Sequence, residues 1–153
     1  MKRNFKLLAQ SPERINVITT KLGADDTEQY SDLDIGKPMV MGKIGNMVIA
    51  AAGDEIEGFL DNVASGPTED GHKVGGVARH MQGSRAKAVV EGAAEVLDLV
   101  VAGANTAHNT ASATKHTGVV KKGTPSVHVW RIIAFENDAA STTGGDVAIL
   151  EKL

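Results

Sequence analysis

Short apolar runs, cut at close intervals by glycine, fill the chain from Gly36 to Leu153. The densest is Ser126-Val127-His128-Val129-Trp130-Arg131-Ile132-Ile133-Ala134-Phe135-Glu136. In an extended chain Val127, Val129, Ile133 and Phe135 share one face, and Trp130, Ile132 and Ala134 the other. Period-two alternation of β-branched and aromatic residues predicts a strand. Apolar residues on both faces place that strand inside a barrel or sandwich rather than in a sheet wetted on one side. The run holds the one Trp and one of the three Phe in a chain with 3% aromatic residues. Aromatic side chains bury the most area per residue, so this run is the expected core anchor.

Other runs repeat the pattern. Met39-Val40-Met41 and Met47-Val48-Ile49-Ala50-Ala51, joined through Gly42 to Asn46, predict a hairpin. Gly53-Asp54 turns the chain into a run from Glu55 to Val63, in which Glu55, Glu57 and Asp61 share one parity and face solvent. The next strand, His72 to His80, is interrupted by Gly75-Gly76, which predicts a bulge or a close backbone approach. Residues 84–104 carry two patterns. Ala86, Val89, Val90, Ala93, Val96, Leu97, Val100 and Val101 recur at helical spacing, whereas Gly92 and the β-branched valines suit two strands, 85–91 and 96–102, around a turn. The loops 65–71, 103–118 and 137–145 are small and polar, and 146–153 closes the chain as a strand.

Residues 1–35 differ. Up to Lys21 there are five bases (Lys2, Arg3, Lys6, Arg14, Lys21) against Glu13 alone, and 22–35 carries five acids and no base. Ser11-Pro12 has the chemistry of a helix start, and 15–20 reads as a strand. With few large apolar residues this segment cannot build a core of its own, so it is expected to be an extended arm that orders against a partner. The alternative is a solvated leader. The arm's contact residues would be Lys2, Arg3, Phe5, Leu7, Leu8, Ile15 and Val17.

The composition excludes several functions. There is no cysteine, which removes disulfide frameworks, thiolate zinc sites and Cys nucleophiles. A net charge of −3 argues against a dedicated nucleic-acid binder. The first apolar run is too short for a signal-peptide core and no run has transmembrane length, so a soluble, cytoplasmically made protein is expected, without membrane contact. Among His72, His80, His108, His116 and His128 no pair has the helical spacing of a metal site. His128 is expected to pack or to sit in an interface. No serine elbow, phosphate loop or paired-carboxylate motif is present, so no catalytic residue, cofactor or metal is assigned.

The order of pieces resembles the small head-decoration, or cement, proteins of tailed bacteriophages. The resemblance rests on Gly36-Lys37-Pro38-Met39-Val40, Gly53-Asp54-Glu55-Ile56-Glu57-Gly58-Phe59, Gly75-Gly76-Val77 and Arg85-Ala86-Lys87-Ala88-Val89-Val90-Glu91-Gly92-Ala93. It continues through Asp98-Leu99-Val100-Val101-Ala102-Gly103, Val129-Trp130-Arg131-Ile132-Ile133 and Val147-Ala148-Ile149-Leu150-Glu151. It covers 36–153, not the first 35 residues, and implies strands rather than a helix at 84–102. It further implies a mostly β fold, a small β-barrel or jelly-roll-like sandwich at 36–153 behind the 1–35 arm. The implied role is a non-enzymatic virion protein on the outer capsid surface, bridging major capsid proteins as a homodimer or homotrimer. A tail-associated or glycan-binding β-domain is the alternative, for which Tyr30 and Trp130 are the available aromatic platform. A small β-barrel enzyme would have to use His72, His80 or His128.

Overall fold

This computed structural model describes residues 15–24, 30–64, 73–105 and 118–153. Within them the regular structure is ten strands and one 3-10 turn, Asp32–Asp34. The first five strands are β1 (Ile15–Leu22), β2 (Pro38–Met41), β3 (Met47–Ile49), β4 (Gly58–Val63) and β5 (Lys73–His80). They close into a barrel in the order β1-β3-β2-β4-β5. The second five are β6 (Arg85–Glu91), β7 (Leu99–Ala102), β8 (Val119–Lys122), β9 (Trp130–Phe135) and β10 (Val147–Lys152). They close into another barrel in the order β10-β6-β8-β7-β9.

The two barrels have one strand plan. In each, the first strand pairs parallel with the third and antiparallel with the fifth, the second pairs with the third and fourth, and the fourth pairs with the fifth. The correspondence reaches single hydrogen bonds. Gly36 N–H donates to the Leu60 carbonyl at 2.7 Å, and Leu97 N–H donates to the Ile132 carbonyl at 2.8 Å. Leu60 N–H returns to Lys37 at 3.0 Å, and Ile132 N–H returns to Asp98 at 2.9 Å. Each fourth strand skips one residue against the fifth, Asp61 in β4 and Ile133 in β9. Core positions correspond too: Leu22 with Val90, Met39 with Val100, Met47 with Val120, Leu60 with Ile132 and Val77 with Leu150, all buried. The chain is therefore a tandem structural repeat.

The mostly β expectation holds, with barrel closure occurring twice. The hairpin is β2–β3, turned by Gly45 at φ 81°. Residues 84–102 form β6 and β7 with Gly92 at φ 79° between them, a backbone state that favours glycine. Gly75 and Gly76 lie inside β5 where β4 crosses closely. A Cβ on Gly75 would sit 2.3 Å from the Asn62 carbonyl oxygen. The Trp run is a strand only from Trp130, and the skipped Ile133 shifts its parity. Trp130, Ile132 and Phe135 are all buried, which strict alternation does not allow.

The expected boundary at residue 35 is corrected by β1, which is a full barrel strand paired with β5 from Ile15–His80 to Leu22–Lys73. Its few apolar side chains suffice because the core around them comes from later strands: Leu22 and Tyr30 pack with Met39, Met47, Leu60 and Val77. Ser31 caps the turn that follows. Its side chain accepts from Leu33 N–H, and its own N–H donates to Asp34. The Lys37 ammonium reaches buried Asp34 at 2.7 Å. The readings made for 1–14, 65–72 and 106–117 lie outside the described residues.

Candidate functional site

The two barrels meet at a junction that begins with a turn. After β3, Gly53 at φ 98° reverses the chain, and Asp54 accepts from Ala51 N–H at 2.9 Å. The turn then docks on the end of β7 by two backbone bonds, Gly53 N–H to the Ala102 carbonyl and Ala102 N–H to the Asp54 carbonyl, both 2.9 Å. This delivers the Glu55 carboxylate to the segment that leads into β9. It accepts from Ser126 N–H at 2.6 Å, Ser126 Oγ at 2.7 Å, Val127 N–H at 3.0 Å and His128 N–H at 2.8 Å. These bonds, that of His128 N–H foremost, hold the carboxyl at about 2, well below the usual range. Charge-assisted bonds to an oriented row of backbone donors are among the stronger polar contacts available to a protein.

Behind this clamp is an aromatic cluster drawn from both barrels. Trp130, 0% exposed, donates from its indole N–H to the Ile56 carbonyl at 3.0 Å. Its ring meets Phe59 edge-on at 5.4 Å between centroids and His80 at 5.1 Å. Ala50, Ile56 and Phe59 of the first barrel belong to the second barrel's core cluster. Gly118, just before β8, lies against 36–38: a Cβ there would be 2.5 Å from the Gly36 carbonyl oxygen. The barrels therefore share apolar core and not merely a rim.

Two titratable groups are enclosed with these rings. His80 Nδ1 lies 3.0 Å from the Ala78 carbonyl, and burial pushes its pKa down to about 4, keeping the ring neutral. The buried Lys152 ammonium sits 5.2 Å from the Trp130 ring centroid and makes no hydrogen bond to a described residue. Burial lowers its pKa to about 8. A cation over an indole face recovers part of its lost hydration. The cluster packs side chains of the two barrels against each other.

The outer surface carries the second candidate feature. Large apolar side chains stand in solvent at the loop ends: Met41 and Ile44 around the β2–β3 turn, Val96 and Leu97 before β7, and Val127, 74% exposed, beside the Glu55 clamp. Leu97 is 65% exposed and adopts φ 76°, which costs a leucine roughly 1–2 kcal/mol. Met81 and Leu153 flank an open cleft of ≈ 700 Å³ that Arg131 and Glu151 also line. Exposed apolar residues in groups, rather than singly, mark contact surfaces.

Of the residues expected to make contacts, Lys2, Arg3, Phe5, Leu7 and Leu8 lie outside the described residues. Ile15 stands opposite His80 at the start of β1, and Val17 is exposed on the same strand. Ile15 therefore pairs with a residue of the junction, and Val17 pairs with Ala78 two positions along. Among the described residues no three His, Asp or Glu side chains are grouped to hold a metal, and no helix is long and apolar enough to cross a membrane. Sequence reasoning put Glu55 on a solvent face, and it does lie at the surface; what it missed is that the carboxylate clamps the junction from there. Its partners lie far along the chain, so local alternation carried no signal of them. A scan against protein-family models finds no match, and no curated protein matches the chain.

Proposed function

We propose that this protein is a structural decoration protein of a bacteriophage capsid, which binds the outside of the shell and stabilises it by bridging major capsid proteins. The observation that carries the reading is the pairing of a rigidly clamped two-barrel body with apolar side chains held out at its loop ends. Such a body is suited to macromolecular contact: the shared core fixes the spacing of the two barrels, and Met41, Ile44, Val96, Leu97 and Val127 supply contact area at separate places. A bridge needs several separated contacts on one rigid unit, because many modest contacts then add up to a large holding strength. The resemblance of 36–153 to cement proteins supports the same role, with a homo-oligomer at a local symmetry position.

The glycan-binding alternative loses its aromatic platform, because Tyr30 and Trp130 are both buried. The test is co-sedimentation of the purified chain with capsids stripped of decoration, with copies per shell counted by quantitative mass spectrometry. Saturation at a whole number of copies per capsid subunit is expected. No binding to expanded or unexpanded shells would remove the reading.

A further inference from the structure

The open cleft flanked by Met81 and Leu153 lies next to the root of the chain's first segment. Strand β1 pairs with β5 in a register that ends at Ile15 opposite His80. His80 is followed at once by Met81, Gln82 and Gly83, all of which line the cleft. Segment 1–14 is therefore rooted at the cleft's rim. The rest of the lining is Arg131 of β9 and the chain's last three residues, Glu151, Lys152 and Leu153. One backbone bond joins the two stretches, Gly83 N–H to the Lys152 carbonyl at 2.7 Å.

The lining has apolar and polar groups to spare. At ≈ 700 Å³ the cleft falls within the range of about 300–1,000 Å³ typical of sites that enclose a ligand. Met81 is 57% exposed and Leu153 41%, so an apolar group laid on them takes both out of water. Arg131 Nε is buried and makes no hydrogen bond among the described residues. Its guanidinium stands 3.6 Å from Glu151, longer than a hydrogen bond. Segment 1–14 carries the matching groups. In an extended chain Phe5 and Leu7 share one face and Lys6 takes the other, and Glu13, the one acid, precedes β1 by two residues.

We propose that residues 1–14 fold back onto their own chain and occupy this cleft, with Phe5 and Leu7 against Met81 and Leu153 and the Glu13 carboxylate on Arg131. The tether selects this occupant over a separate molecule. Phe5 is ten residues ahead of Ile15 and Leu7 eight, so a chain spanning up to ~3.5 Å per residue crosses the cleft without being drawn straight. Closing so short a loop costs little entropy, and a short tether sets an effective concentration on the order of millimolar. Charge agrees with the polarity of the fit. Arg131 and Lys152 against Glu151 leave the lining positive, which favours Glu13 inside it and leaves Lys2, Arg3 and Lys6 in solvent. The docked segment concerns the free chain and not the shell, so it can fail while capsid binding stands, and the reverse.

The chain has no cysteine, so an engineered pair reports one contact cleanly. Full-length chains carrying Leu153→Cys with Phe5→Cys, or Leu153→Cys with Leu7→Cys, are oxidised at micromolar concentration, and the disulfides are mapped by mass spectrometry of non-reduced digests. In the control pairs Ile44→Cys, exposed at the β2–β3 turn, replaces Leu153→Cys. At least one cleft pair is expected to close within the chain about tenfold faster than its control. A second measurement needs no cysteine. Met81→Asp is expected to speed tryptic cleavage after Lys6 about tenfold while Trp130 emission stays unchanged. Cleft pairs that both close no faster than their controls would overturn the inference. So would disulfides formed only between chains, which would seat the segment on another copy, or equal cleavage after Lys6 in wild type and Met81→Asp.

Discussion

The two barrels share a strand plan and differ in what they place at matched positions. The first has Gly58 where the second has Trp130, Phe59 where the second has Arg131, and Gly36 where the second has Leu97. Gly58 has no room for more: a Cβ there would lie 2.4 Å from the Ala78 carbonyl oxygen. Trp130, by contrast, leaves its own barrel to bond Ile56 and pack on Phe59 and His80. A duplicated fold docks in one order only if its copies are made unlike at the contact. Here the first barrel presents Ile56, Phe59 and His80, and the second the chain's largest side chain.

The most damaging way to break that asymmetry is Trp130→Ala. It removes the ring shared by both barrels and should cost about 3–5 kcal/mol, read as a fall in the urea midpoint at unchanged slope. Acidification comes next. The folded pKa of His80 is depressed to about 4 from an ordinary value of 6.5. The unfolded state therefore takes up a proton first, and stability falls as pH drops through that window, by up to about 3 kcal/mol, and then levels. His80→Phe should flatten this leg. Glu55 acts lower: its folded pKa of about 2 lies below its ordinary 4.5, so its contribution is present above that value and is lost as pH falls toward 2. Glu55→Gln should remove this lower leg and leave the His80 leg intact.

Smaller effects sharpen the comparison. Gly118→Ala drives a Cβ onto the Gly36 backbone and should cost about 1–3 kcal/mol. Leu97→Gly gives the second barrel the residue type the first already uses at that position. It should raise stability by about 1 kcal/mol, measured by thermal unfolding of the dilute monomer. A loss of stability there would mean that the leucine side chain packs within its own chain.

Much of the strand content was legible in sequence because it depends on neighbours. The glycine pair in β5 and the hairpin through Gly45 follow from turn chemistry, whereas at 84–102 the residues carried both a helical and a strand pattern and only the resemblance favoured the strands, read as 85–91 and 96–102 and found at Arg85–Glu91 and Leu99–Ala102. Trp130 as core anchor follows from aromatic scarcity. The repeat was hidden, because matched positions differ in type and the second-to-third strand link runs 42–46 in one barrel and 103–118 in the other. The place of β1 in a barrel depends on β5, far along the chain, so its sparse apolar residues read as an arm. The clamp made by Glu55 was hidden for the same reason, since its amide partners are at 126–128. The skipped Ile133 is invisible to a parity argument, as a bulge shifts faces without changing composition.

The central claim is that the two barrels form one body held by the junction. The most direct measurement is urea unfolding of the dilute monomer, followed in parallel by Trp130 fluorescence and far-ultraviolet circular dichroism. Trp130 is the only tryptophan, so its emission reports the junction together with the second-barrel core it belongs to, whereas the β signal reports both barrels. The account predicts coincident transitions with one midpoint. A fluorescence change that is complete while most of the β signal remains would show the junction opening between barrels that stand independently, and would contradict it.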